Sequence, residues 1–210
     1  MRSPAFVKRQ ERIAMMKLMI ASDLHGSAYY TKKLLDAYNI EHPNKLVLLG
    51  DILYHGPRND LPKDYAPKEV IAMLNPLADQ ILCVRGNCEA EVDQMVLDFP
   101  VLADYGVLFE RGRTIYLTHG HLFGENNPPK LQHGDILLTG HTHIPACVDH
   151  GFWYLNPGSV SIPKNNSWHG YMILEDGRFV WKDLDGMVQL QWNMNDSGEA
   201  DAVSRSKRAR

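Results

Sequence analysis

The chain has 210 residues, 44% of them hydrophobic and 22% charged, a formal net charge of −3, and no apolar run near the roughly 20 residues a membrane-spanning helix needs. That balance excludes fibrous, low-complexity and disordered classes and describes one domain able to bury a sizeable core. Three cysteines, Cys83, Cys88 and Cys147, are odd in number and lack a CxxC spacing, which argues against a disulfide framework and a Cys-rich zinc site and favours a reduced, cytoplasmic compartment.

Residues 1–14 carry Arg2, Lys8, Arg9 and Arg12 against Glu11, with no apolar stretch of secretory-signal length behind them. This segment is expected to be a disordered or non-native extension, with Met15 or Met16 as the natural start. The folded domain is expected over 15–193. Its first short apolar run, 16–21, ends in Asp23-Leu24-His25. Ser27 is placed to cap a helix running to about residue 39, with Leu34, Leu35 and Tyr38 on one face.

A second apolar run, 45–49, delivers Gly50-Asp51. Taken singly, Asp51 reads equally well as a turn or cap residue. The loop 54–66, with Pro57 and Pro62, is long for a strand-to-helix connection, and loops of this length are often functional. Within it Arg58 suits either a bidentate phosphate contact or a brace on a carboxylate, His55 stays open, and Asn59 is a candidate substrate contact. Pro67 opens a helix that stops near Asn75-Pro76. Run 80–84 then leads into Arg85-Gly86-Asn87-Cys88-Glu89, and 93–99 predicts a short helix with Met95, Val96 and Phe99 apolar.

A hairpin is expected from 107–109 and 113–118, turning through 110–113 and delivering His119-Gly120-His121. After a Pro- and Asn-containing loop, run 135–139 ends in Gly140-His141-Thr142-His143, where alternate spacing along an extended segment puts both rings on one side. From residue 146 the chain alternates through 146–149, 152–155, 170–175, 178–183 and 187–192, with His150-Gly151, Asp176-Gly177 and Asp185-Gly186 as hairpin turns. The end, 194–210, is a solvated, disordered tail by composition. Because residues 1–14 contribute +3 and 195–210 contribute +1, the body stands near −7, a poor electrostatic partner for long nucleic acid.

Five apolar runs each end in Asp, Asn or His. If they lie side by side and parallel, their carboxyl ends share the edge where open α/β sheets place their sites. Asp23, His25, Asp51, Asn87, His119, His141 and His143 make seven candidate ligands, too many for one tetrahedral ion. Their mixed oxygen and imidazole donors suit manganese, iron or zinc. Two ions roughly 3.5–4 Å apart sharing a carboxylate form the usual clamp for displacement at phosphorus.

As an ordered set, Asp-x-His, Gly-Asp, Gly-Asn, Thr-His-Gly-His and Gly-His-Thr-His followed by Asn156-Pro157-Gly158-Ser159 resembles the calcineurin-like metallophosphoesterase superfamily. Within it, 55–59, 85–88 and Ser159-Val160-Ser161-Ile162-Pro163 resemble the small bacterial YfcE-like phosphodiesterases, and the likeness runs over roughly 16–193. The resemblance implies a four-layer α/β/β/α sandwich, two packed sheets flanked by helices. It implies two divalent ions, manganese by preference, one on Asp23, His25, Asp51 and His143 and the other on Asp51, Asn87, His119 and His141, with Asp51 bridging. A hydroxide shared by the ions would attack a small-molecule phosphodiester.

By the same resemblance Asn87 and Asp51 count as catalytic, His121 stands behind the ligands or touches substrate, and 156–159 shapes the floor of the site. Cys88 departs from the family, whose commoner residue there is a His that assists the leaving group; a thiol is a weak donor, so Cys88 predicts low activity on esters with poor leaving groups. A small buried filler role for Cys88 stays open. Rival expectations are a phosphomonoesterase or nuclease on the same site, or a metal-binding scaffold like the retromer scaffold subunit. Apolar residues in the long loops would suit a homo-oligomer, but nothing in the pattern fixes one.

Overall fold

Four consecutive apolar residues form β1 (Leu18–Ala21), and all four are buried, as expected of a strand covered on both faces. In the computed structural model, which describes residues 16–195 and 201–202, β1 lies inside a seven-stranded sheet. Its carboxyl end runs into α1 (Ala28–Glu41), where the Ser27 hydroxyl accepts the Tyr30 N–H as an N-cap. β2 (Lys45–Leu48) pairs parallel with β1. A crossover through α2 (Pro67–Leu74) and a 3-10 turn (Asn75–Gln80) returns the chain to β3 (Ile81–Cys83), parallel to β2.

The helix expected over 93–99 is one turn, α3 (Glu91–Gln94). The Gln94 side chain ends it: its amide donates to the carbonyls of Leu97 and Phe99 and accepts the Val101 N–H, so the irregular chain is satisfied while Leu97 and Phe99 turn into the core. With no long crossover helix after β3, the chain does not return parallel beside it. It starts a second sheet instead, with the hairpin β4 (Tyr105–Glu110) and β5 (Arg113–Thr118), then β6 (Ile136–Leu138), β7 (Ala146–Asp149) and β8 (Trp153–Asn156), ordered β4-β5-β6-β8-β7. β9 (Gly170–Glu175), β10 (Arg178–Asp183) and β11 (Val188–Asn193) return antiparallel to the first sheet.

The five apolar runs therefore do not share one parallel sheet. Three lie in one sheet and two in the other, and both sheets are mixed. Expectations for residues 1–14 lie outside the described residues, as does most of 194–210. Within that expected tail, β12 (Asp201–Ala202) pairs antiparallel with β11.

Strand alternation divides the core in two. Met19, Ala21, Leu46 and Leu48 face α1 and α2 through Leu34, Ala37, Val70 and Leu74. Leu18, Ile20, Val47 and Leu49 face the second sheet through Ile115, Leu117, Ile136, Leu138, Trp153 and Leu155. Trp181 Nε1 donates to the Asn156 carbonyl at 2.7 Å, tying the sheets together. The helices α1 and α2 pack on one face of the first sheet, whose other face packs on the second sheet, and the 119–135 connection is held by Thr118 Oγ1 on the Phe123 carbonyl and by His150 on Glu125. No helix among the described residues is long and apolar enough to cross a membrane.

Candidate metal centre

At one end of the sandwich the sheets close on each other. Gly140 follows β6 directly against β1's exit; a Cβ there would stand 1.9 Å from Ser22 Oγ, so only glycine permits the approach. The junction is then tied across the sheets: His119 Nδ1 donates to the Leu49 carbonyl at 2.6 Å and the His141 N–H donates to Asp23 Oδ2 at 3.1 Å. All seven expected ligands meet here, delivered from both sheets.

The backbone is bent to achieve this. Asp23, His25, Asp51, His141 and His143 all have left-handed φ, between 48° and 66°. Such conformations cost of order 1 kcal/mol or more for side-chain-bearing residues and gather at functional sites. His141 and His143 are thus not on an extended segment, as their spacing predicts. The Thr142 N–H folds back to the Gly140 carbonyl, and the two rings serve different neighbours.

Those neighbours form two groups. In the first, His25 Nε2 stands 3.2 Å from His143 Nε2, and Asp23 Oδ1 lies 3.3 Å from His143 Nε2 and 3.6 Å from His25 Nε2. In the second, His119 Nε2 is 3.3 Å from His141 Nδ1 and 3.1 Å from Asn87 Oδ1. Asp51 Oδ2 reaches both, 3.4 Å from His119 Nε2 and 3.7 Å from His25 Nε2.

The tautomers decide what this means. His25 Nδ1 contacts the Tyr54 carbonyl at 2.8 Å, His143 Nδ1 the Ile162 carbonyl at 2.6 Å, and His119 Nδ1 the Leu49 carbonyl. A carbonyl only accepts, so each Nδ1 carries the proton and each Nε2 turns a lone pair inward. Inward lone pairs facing one another and carboxylate oxygens repel unless a metal cation or a proton lies among them. Asp23 Oδ1, fully buried, has no hydrogen-bond donor among the described residues. The donor set therefore fits divalent ions of intermediate hardness, with carbonyls orienting the rings from behind.

The carboxylates draw positive charge onto the neighbouring rings, so without an ion a proton competes for the inward nitrogens. Burial opposes charge on Asp23, yet His143 and His25 hold its carboxyl well below the usual range. Burial opposes protonation of His119, yet Asp51 and Asp23 push it up to about 9, and His25 is raised by Asp23 in the same way. His141 is lowered, by burial and by the neighbouring His119.

Above the centre is a cavity of about 480 Å³, lined by Asp51, Asn87, His141 and His143 below and by Arg58, Asn59, Cys88, Thr142 and Lys164 around them. Arg58 and Asn59 thus reach the cavity wall. His121 does not line it; its ring lies 5.4 Å from that of His119 and 6.2 Å from that of His141. Cys88 donates its thiol proton to Asp51 Oδ2 at 3.3 Å, and burial together with Asp51 raises the thiol pKa, so the group stays neutral.

Four residues support the site from outside the ligand set, and of these only Ser159, in the 156–159 turn, is assigned to the site by the resemblance. Glu89, buried, accepts the N–H groups of Gly86, Asp51 and Ile52 and holds the Asp51 loop. Ser159 and Ser161 both donate hydroxyls to the Asp23 carbonyl. Lys164 stands on the cavity rim. Only the proximity of Glu89 to Gly86-Asn87 would have pointed to it.

A family model for the calcineurin-like phosphoesterase superfamily domain matches residues 16–176. The chain is 49% identical to the curated Phosphodiesterase YfcE of Escherichia coli K12 over 164 residues, 77% of this chain and 89% of that protein. The solved structure of YfcE, a phosphoesterase from E. coli, superposes with a TM-score of 0.82 at 44% identity, covering 86% of this chain and all of that one. Entamoeba histolytica Vps29, solved with zinc, has a TM-score of 0.53 at 21% identity over 90% and 98% of the two chains, a likeness of fold alone. From its own motifs, its two packed mixed sheets and these matches, the chain belongs to the calcineurin-like phosphoesterase superfamily.

Proposed function

We propose that this protein is a dinuclear-metal phosphodiesterase acting on a small-molecule phosphodiester, with manganese as the expected ion and a reduced, cytoplasmic setting suited to its three free cysteines. The observation that carries the proposal is the pair of inward lone-pair clusters joined by Asp51. Asp23, His25, Asp51 and His143 would hold one ion, and Asp51, Asn87, His119 and His141 the other. Bound there, two divalent ions supply a nucleophilic water at neutral pH and neutralise charge growing on phosphoryl oxygens. The likeness to a protein named as a phosphodiesterase supports the diester as substrate class.

The chain's own residues do the rest. Asp51 is fixed by the Cys88 N–H on Oδ1 at 2.9 Å and by Glu89 beneath its main chain. Arg58 offers a planar fork for a phosphoryl oxygen pair, and Asn59, whose amide donates to the His55 carbonyl, steadies the loop that carries it.

Hydrolysis of an aryl phosphodiester beside the matching monoester tests this, using protein stripped of metal and refilled with manganese, with metal counted in the same sample. Diester cleavage at about two ions per chain is expected. Faster monoester cleavage would make the protein a phosphomonoesterase, and full loading without cleavage of either would make it a metal-binding scaffold.

Cys88 sets a second expectation. Its only proton points to Asp51 and not to a leaving group, so poor leaving groups depart unassisted. Cys88→His should raise turnover on alkyl or nucleotide diesters toward the roughly 10²-fold that general-acid catalysis contributes, with far less gain on activated aryl diesters. Equal gains on both would contradict the assignment.

A further inference from the structure

The cavity is larger than the reaction requires. At roughly 30 Å³ per water-sized group, about 480 Å³ holds on the order of fifteen such groups, against the five heavy atoms of a phosphoryl centre and its oxygens. Its rim carries two cations, Arg58 and Lys164, and neither makes a salt bridge with another described residue. They come from different parts of the chain. Arg58 lies on the loop that passes Cys88; a Cβ on Gly56 would stand 3.5 Å from Cys88 Sγ. Lys164 lies on the loop that holds His143.

Lys164 differs from an ordinary surface lysine in how its main chain is held. Its N–H donates to the His143 carbonyl at 3.2 Å, and its carbonyl accepts both the N–H and the hydroxyl of Ser167, at 3.1 and 2.7 Å. The turn passes through two successive left-handed residues, Asn165 and Asn166. Two residues earlier, the Ile162 carbonyl orients the His143 ring. One strained, hydrogen-bonded turn thus supports a candidate ligand and holds the main chain of Lys164, an exposed residue that lines the cavity and makes no salt bridge with another described residue. Thr142, also on this side, accepts Asn156 Nδ2 and the Ile144 N–H through its hydroxyl oxygen, which leaves the hydroxyl proton for a ligand.

We propose that Lys164, with Thr142, forms a second anion subsite that binds a carboxylate or phosphate on the part of the substrate that is not attacked. The substrate class is then a phosphodiester whose ester group bears its own negative charge. The subsite rests on the phosphodiesterase function proposed above. Lys164 is a specificity residue here: the attacked phosphoryl group is served by the centre and Arg58, and Lys164 reads what is attached to it.

The test compares kcat/KM for two aryl phosphodiesters, one with uncharged ester groups and one bearing a carboxylate on the aryl ring, in wild type, Lys164→Gln and Lys164→Arg, each with metal content counted. Wild type should prefer the carboxylate-bearing diester about tenfold, a preference that shrinks as salt screens it. Lys164→Gln should bring the ratio near one, and Lys164→Arg should keep most of it. An unchanged ratio in Lys164→Gln, or no preference in wild type, overturns the subsite while leaving the phosphodiesterase standing. Loss of metal from Lys164→Gln would show that the lysine acts through His143 and would also overturn it. If loaded wild type cleaves neither diester, the underlying function falls, and the subsite with it.

Discussion

Asp51→Asn is expected to lower turnover on the order of 10³-fold or more and to weaken both ions together. Asp51 reaches both lone-pair clusters through a single oxygen, Oδ2 at 3.4 Å from His119 and 3.7 Å from His25. Asparagine preserves the shape and can still accept the Cys88 N–H through one oxygen. The other position becomes an NH₂ group, a donor where a cation needs an acceptor, and the shared negative charge is gone. Because the outer face of each cluster is unchanged, the fold should survive, as thermal unfolding of the metal-free variant would show. Metal counting and turnover on the same sample decide the matter: wild-type activity, or loss of one ion with the other bound at full strength, would sink the bridging role.

Glu89→Gln should destabilise the protein by about 2–4 kcal/mol and reduce metal retention as well. The carboxylate is 4% exposed and accepts three backbone N–H groups, two on Oε2 and one on Oε1. A glutamine amide keeps one oxygen and must turn its NH₂ toward at least one of those donors. Each charge-assisted hydrogen bond lost contributes roughly 1.5–3 kcal/mol. Part of that is offset, because burial and the Asp51 charge raise the Glu89 pKa and make its ionised form costly to hold. Urea unfolding measures the loss. A variant as stable as wild type, with full metal content, would show that the Asp51 loop holds itself.

The candidate ligands were legible because each is local. Asp51, Asn87, His119 and the His141/His143 pair all directly follow a short apolar run, and such runs end where a sheet presents its site. Hairpins through His150-Gly151, Asp176-Gly177 and Asp185-Gly186 were legible for the same reason, since turn chemistry resides in adjacent residues. Glu89 was not: a single glutamate in a loop has no periodicity, and its meaning lies in three N–H groups that only the folded chain brings to it. The 93–99 helix failed because the apolar spacing of Met95, Val96 and Phe99 does not reveal that the Gln94 side chain will intercept the carbonyls.

By itself the amino-acid sequence determined the strand-and-ligand order, the α/β class and the absence of any membrane-length apolar run, because these depend on neighbours along the chain. The family resemblance already implied two packed sheets and the division of the ligands into two groups; tertiary structure alone decided which strands enter which sheet, which backbone carbonyl orients each imidazole, and that Lys164 lines the cavity while His121 does not. Each of these is a contact between residues tens of positions apart, set by how two apolar sheet faces pack and by which backbone carbonyl each imidazole meets.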